Sequence, residues 1–200
     1  MFTSRFKRAL VAELGDKVVF QKQWSVRRRG VWRGVGKLPD GLMLHHTAAA
    51  ATESTSPSAA GNQKGANDNV IRYIQSHYEV PAANFTLDRD GTVYVHSVFP
   101  VWHAGKGSFK GKSPWENFNI PDDAGNDYLL GVEIMSKGRK KDFTLAQRQS
   151  LALLQEACGV ACGWSELKRT ATVRHPRHKD WTTRKIDILY EQSEVNRWMG

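Results

Sequence analysis

Three short stretches of this 200-residue chain together hold the groups needed to hydrolyse an amide. Leu44-His45-His46-Thr47-Ala48 closes an apolar run, and Gly131-Val132-Glu133-Ile134 places a carboxylate among aliphatic residues. The third reads His178-Lys179-Asp180-Trp181-Thr182-Thr183-Arg184-Lys185-Ile186-Asp187. Amide hydrolysis at neutral pH needs a better nucleophile than bulk water, and zinc supplies one by lowering the pKa of its bound water to about 7. A catalytic zinc takes three protein ligands and keeps a fourth position open. The candidate ligands are His45, His178 and Asp187. Glu133 is the spare carboxylate for moving a proton from water to the leaving amine. Lys185 precedes Asp187 by two residues, so in an extended segment both point the same way, and a lysine beside the metal can hold the developing oxyanion.

Each piece has an ordinary reading as well. His45 and His46 are consecutive on a strand, so they point to opposite faces and only one faces the site. His45 is the candidate, with His46 packed into the opposite layer. A glutamate in a strand can pair with an arginine such as Arg89, and Lys-x-Asp is common. The helical zinc motif H-E-x-x-H is absent. His175-Pro176-Arg177-His178 is no substitute, because proline breaks the helical spacing, although His175 remains a rival to His178. Only the conjunction of these groups points to this chemistry.

The elements that must position these groups follow from local pattern. Phe2, Phe6, Leu10 and Leu14 recur every four residues, which predicts a helix ending at Gly15. Lys17–Gln21 and Gly41–His46 read as strands, the latter buried. Residues 67–77 have helical spacing. Phe85–Asp88 and Thr92–Val98 flank Asp88-Arg89-Asp90-Gly91, a hairpin signal. Tyr128–Ser136 is apolar enough to lie near a sheet centre. Thr144 is placed to cap a helix through Cys162, with Leu151, Leu154 and Cys158 on one stripe. A strand over 171–175 and a helix over 190–198 complete the series. Residues 48–66 and 104–125 read as loops, and 22–40 gives no clear assignment. Strands interleaved with helices imply an α/β fold, a single mixed central β-sheet flanked by helices. One domain over 1–200 is expected, with a basic segment 1–37 packed on or preceding a core at 38–200.

The net charge of +9 is concentrated at one end. Residues 1–37 carry ten Lys/Arg against Glu13 and Asp16, a net of +8. Such a patch attracts polyanions, among them anionic cell-wall polymers. No finger, helix-turn-helix or RNP pattern accompanies it, so no specific nucleic-acid partner is expected. No apolar stretch approaches the ~20 residues of a membrane span. Arg5, Lys7 and Arg8 interrupt the N-terminus, so no signal peptide is expected. Cys158 and Cys162 read as buried reduced thiols rather than a zinc pair.

These residues resemble the zinc-dependent N-acetylmuramoyl-L-alanine amidases related to peptidoglycan-recognition proteins, especially the amidase domains of endolysins from phages of actinobacteria. The resemblance is carried by Leu42–Ala48, Leu87–Tyr94, Val101-Trp102-His103-Ala104-Gly105, Leu130–Ile134 and His178–Asp187, in the family's order. Asn84 stands where many relatives have histidine, Thr182-Thr183 replaces a Pro-Gly-like turn, and Ile188 follows Asp187 where proline is common. The resemblance implies Zn²⁺ on His45, His178 and Asp187, Glu133 as acid/base and Lys185 as stabiliser of the transition state. Trp102 and His103 would line the substrate groove, His103 alternatively supporting a ligand. The implied substrate is bacterial peptidoglycan, cut between N-acetylmuramic acid and L-alanine by a monomer. A phage endolysin would wait in the host cytoplasm for a holin. A peptidoglycan-binding protein without turnover, a bacterial autolysin or a secreted toxin would share the fold.

Overall fold

A computed structural model describes residues 2–47, 70–76, 79–104, 120–136 and 143–164, together with the backbone of 172–174. The expected loop at 48–66, most of that at 104–125, the chemistry-bearing stretch 178–187 and the helix over 190–198 lie outside the described residues.

Six strands form one sheet among the described residues. They are β1 (Val18–Phe20), β2 (Gly41–His46), β3 (Phe85–Leu87), β4 (Val93–Val95), β5 (Leu129–Ile134) and β6 (Thr172–Arg174). Their spatial order is β1-β4-β3-β5-β2-β6. The β3–β4 hairpin is antiparallel and the other neighbours are parallel, so the sheet is mixed as expected. Every residue of β2 and β5 is buried, which suits their interior positions in the sheet.

The hairpin closes for local reasons. Gly91 adopts φ +88°, its N–H donates to the Asp88 carbonyl at 3.0 Å, and the Thr92 N–H donates to Asp90 Oδ1 at 2.8 Å. Any Cβ at Gly91 would also stand 2.7 Å from Ser150 Oγ, so space and backbone both require glycine.

Side-chain alternation gives the sheet two unlike faces. Leu42, Leu44, Phe85, Leu87, Val93, Val95, Leu130, Val132 and Ile134 point into the main core. Two helices cover it: α1 (Phe2–Leu14), through Phe6, Ala9, Leu10 and Leu14, and α4 (Leu145–Cys162), through Leu151, Leu154, Ala157 and Cys158. Phe6 and Leu10 are fully buried, each contributing about 1.5–3 kcal/mol by burial. The N-terminal helix is therefore part of the core. Between these helices in sequence come α2, the helical residues 70–76, and the single turn α3 (Gly125–Tyr128).

Thr144 caps α4 with a reciprocal pair: its Oγ1 accepts from the Gln147 N–H at 3.0 Å, and Gln147 Oε1 accepts from the Thr144 N–H at 3.1 Å. Gln147 Nε2 also donates to the Leu87 and Met135 carbonyls, joining the helix start to the ends of β3 and β5. Cys158 and Cys162 are buried and unbridged. Burial, and secondarily Cys162, pushes the Cys158 thiol well up from its ordinary value.

The segment that gave no sequence assignment, 22–40, is held by long-range bonds. Arg27 donates to the Gln75 and Glu79 carbonyls, and Arg28 lies over Phe99 with its guanidinium 5.4 Å from the ring centroid. Arg29 pairs with Asp127 and stacks 3.9 Å above the Trp102 ring. Trp32 is buried, donating to the Val98 carbonyl at 3.1 Å. The Arg27–Arg29 run thus braces the fold as well as carrying charge.

Candidate functional site

Strand register assembles the polar face. His45 on β2 is in register with Glu133 on β5, and Glu133 with Thr86 on β3. Register partners in a sheet share a face, with neighbouring strands about 4.8 Å apart. An imidazole, a carboxylate and a hydroxyl therefore stand side by side, all buried. His46 is in register with Ile134 and falls on the face of the main core. Of the two histidines, it is His45 that shares a side with Glu133.

A second layer supports His45. Its Nε2 lies 3.2 Å from His103 Nδ1, and His103 Nε2 lies 2.8 Å from the Leu129 carbonyl oxygen. The His103 ring covers Gly131, where a Cβ would come within 2.4 Å of its Cγ. The backbone around His103 is fixed by Asn126, whose Oδ1 accepts from the His103 and Ala104 N–H groups at 2.7 Å each. Next to it, Trp102 is 46% exposed with the Arg29 guanidinium behind its ring, so an indole surface is presented beside the polar row.

Asn84 is the other organiser. It is fully buried, its Nδ2 donates to the Ser97 and Phe99 carbonyls at 3.0 and 2.8 Å, and its Oδ1 accepts from the Gly131 N–H at 2.8 Å. One amide thereby ties the turn after β4 to the strand that carries Glu133.

The row continues to His96, whose Nε2 is hydrogen-bonded to Thr86 Oγ1 at 2.8 Å. Burial, assisted by the charge of Arg27, lowers His96 from 6.5 to about 3. The unfolded chain takes up this proton near 6.5 while the folded protein refuses it until about 3, so the contribution is complete above 6.5 and is lost on acidification. The expected loss is about 1.4 kcal/mol per pH unit, or about 2 kcal/mol between pH 6.5 and about 5. Urea unfolding of the wild type and His96→Gln at both pH values checks this. An unchanged slope in the variant would assign the acid sensitivity elsewhere.

Of the residues singled out in the sequence, His45, Glu133, Trp102 and His103 are described, and the first two adjoin on one face. His178, Lys185 and Asp187 lie outside the described residues. Among the described residues no group of three His, Cys, Asp or Glu could hold a metal ion. What they offer such an ion is one buried imidazole whose second nitrogen is engaged by His103, in the place where a ligating histidine ordinarily has a carboxylate, a backbone carbonyl or water. Asn126 is a contributor that the sequence did not mark, and Arg29 was read there only as part of the basic segment 1–37, since nothing in their local pattern signals their distant partners.

A family profile described as N-acetylmuramoyl-L-alanine amidase matches residues 35–188. No curated protein sequence matches the chain. Solved structures similar to it include PGRP-Hd from Alvinella pompejana, at 20% identity and TM-score 0.49, covering 76% of this chain and 84% of that one. Another is the Ph2119 endolysin from a Thermus scotoductus bacteriophage, at 16% identity and TM-score 0.48, covering 92% and 99%. A third is the N-acetylmuramoyl-L-alanine amidase LysC from Clostridium intestinale, at 15% identity and TM-score 0.45, covering 90% and 95%.

Proposed function

Because the chain belongs to the N-acetylmuramoyl-L-alanine amidase family, we propose that it cuts bacterial peptidoglycan between the lactyl group of N-acetylmuramic acid and L-alanine of the stem peptide, using zinc. The observation that supports this reading most directly is the register of His45 with Glu133 on the polar sheet face. Zinc held by His45, His178 and Asp187 would act as a Lewis acid that lowers the pKa of a coordinated water. Glu133 takes the proton of the attacking water and returns it to the alanine nitrogen as the C–N bond breaks. Lys185 offsets the negative charge that gathers on the carbonyl oxygen. Trp102 offers its exposed ring to the substrate, with Arg29 holding the ring from behind. The biological setting in this proposal is phage-driven lysis, with the protein kept in the host cytoplasm until a holin releases it.

The test is mass spectrometry of digested peptidoglycan. Stem peptides with a new amino-terminal alanine, and glycan strands with free lactyl carboxylates, are expected. Both should disappear with chelator and in His45→Ala. Cleavage at a glycosidic or interpeptide bond, or activity indifferent to chelator, would refute the assignment. Binding to the wall without release of either product would favour a recognition protein of the same fold.

A further inference from the structure

We infer that His103 is a positioning residue that fixes which nitrogen of His45 is turned toward the metal. A backbone oxygen sets the direction of both hydrogen bonds. His103 Nε2 is 2.8 Å from the Leu129 carbonyl oxygen, which can only accept, so the His103 proton sits on Nε2. In the neutral ring Nδ1 then carries a lone pair and acts as an acceptor. The proton shared across the 3.2 Å contact therefore belongs to His45 Nε2. That leaves the Nδ1 lone pair of His45 as the ligand atom. A carbonyl of β5, the strand that carries Glu133, thus dictates the tautomer of a residue on β2, with His103 as the relay.

The relay is built in, not incidental. The two rings meet edge to face, with centroids 5.4 Å apart and planes at 70°. The His103 ring occupies the volume that any side chain at position 131 would take, so Gly131 is the floor on which it rests. Asn126 fixes the main chain at both His103 and Ala104. Ring floor, backbone clamp and carbonyl acceptor together allow one orientation.

The tautomer stands on hydrogen-bond geometry alone; its link to zinc rests on the proposed function. Nitrogen NMR of the histidine rings in the metal-free protein, recorded above the ordinary histidine range, reads the tautomer directly. His45 and His103 are both expected as the Nε2–H form, and a His45 ring protonated on Nδ1 overturns the inference. Zinc affinity, measured by competition with a chromophoric chelator, gives the second readout. His103→Leu and Gly131→Ala should each weaken zinc binding about 10- to 100-fold. His103→Asn, whose Oδ1 can accept the same proton, should recover most of that loss. Wild-type affinity in His103→Leu would also overturn the inference. A wild-type protein that takes up no zinc would instead sink the proposed function, and the NMR result would still decide the tautomer. Should His103→Leu fail to fold, the NMR measurement on the unaltered protein is decisive.

Discussion

Exchanging Glu133 for glutamine should slow release of stem peptides from a soluble muropeptide by about 100- to 10,000-fold, the range contributed by a positioned general acid–base group. The substitution keeps the shape of a side chain that is only 8% exposed, so β5 and its neighbours have little reason to repack. In the proposed mechanism it removes the ability to take a proton from water and return it to nitrogen. Zinc uptake should stay within a few-fold of the wild type, since the proposed ligands His45, His178 and Asp187 are untouched. Paired measurement of turnover by chromatography and of zinc by chelator competition separates the two properties. Activity within fivefold of the wild type would remove Glu133 from the mechanism. Loss of zinc in parallel with activity would make it part of the metal's support instead.

The second large effect is on stability. Asn84→Leu strands the Ser97 carbonyl and the Gly131 N–H and leaves the Phe99 carbonyl with only a long 3.4 Å bond from Ser97 Oγ, where all three now bond to the one amide. A buried polar group without a partner costs about 1–3 kcal/mol, so the expected destabilisation is about 3 kcal/mol or more. For a chain of this length that corresponds to a fall in melting temperature of about 6–12 °C. Calorimetry provides the check, and a fall of less than about 2 °C would show that the three backbone groups find other partners. Residue 84 holds the segment around Gly131 in place, so the loss should be larger than for a typical surface change.

What was legible in the sequence is what local pattern controls. The four-residue apolar stripe gave α1, the buried run gave Gly41–His46, the Asp-Gly turn gave the hairpin, and Thr144 announced the start of α4. Each of these is decided by neighbours within a few positions. Residues 22–40 resisted because their conformation is imposed from afar: Arg27 reaches residues 75 and 79, and Arg29 reaches Asp127. His103 was recognisable as a residue of interest, but its bonds to His45 and to the Leu129 carbonyl depend on strand register, which no short window encodes. Asn126 looks like any polar residue ahead of a strand, and only the three-dimensional structure reveals the two amides it binds.

The first helix has a bearing on protein engineering. The family profile begins at residue 35, yet Phe6, Leu10, Leu14 and Trp32 belong to the same apolar cluster as α4 and the sheet. A chimera grafted at that border would leave a greasy trench along α4, inviting aggregation where the parent is sealed. Swapping modules between amidases of this family therefore has to carry the opening helix along as cargo.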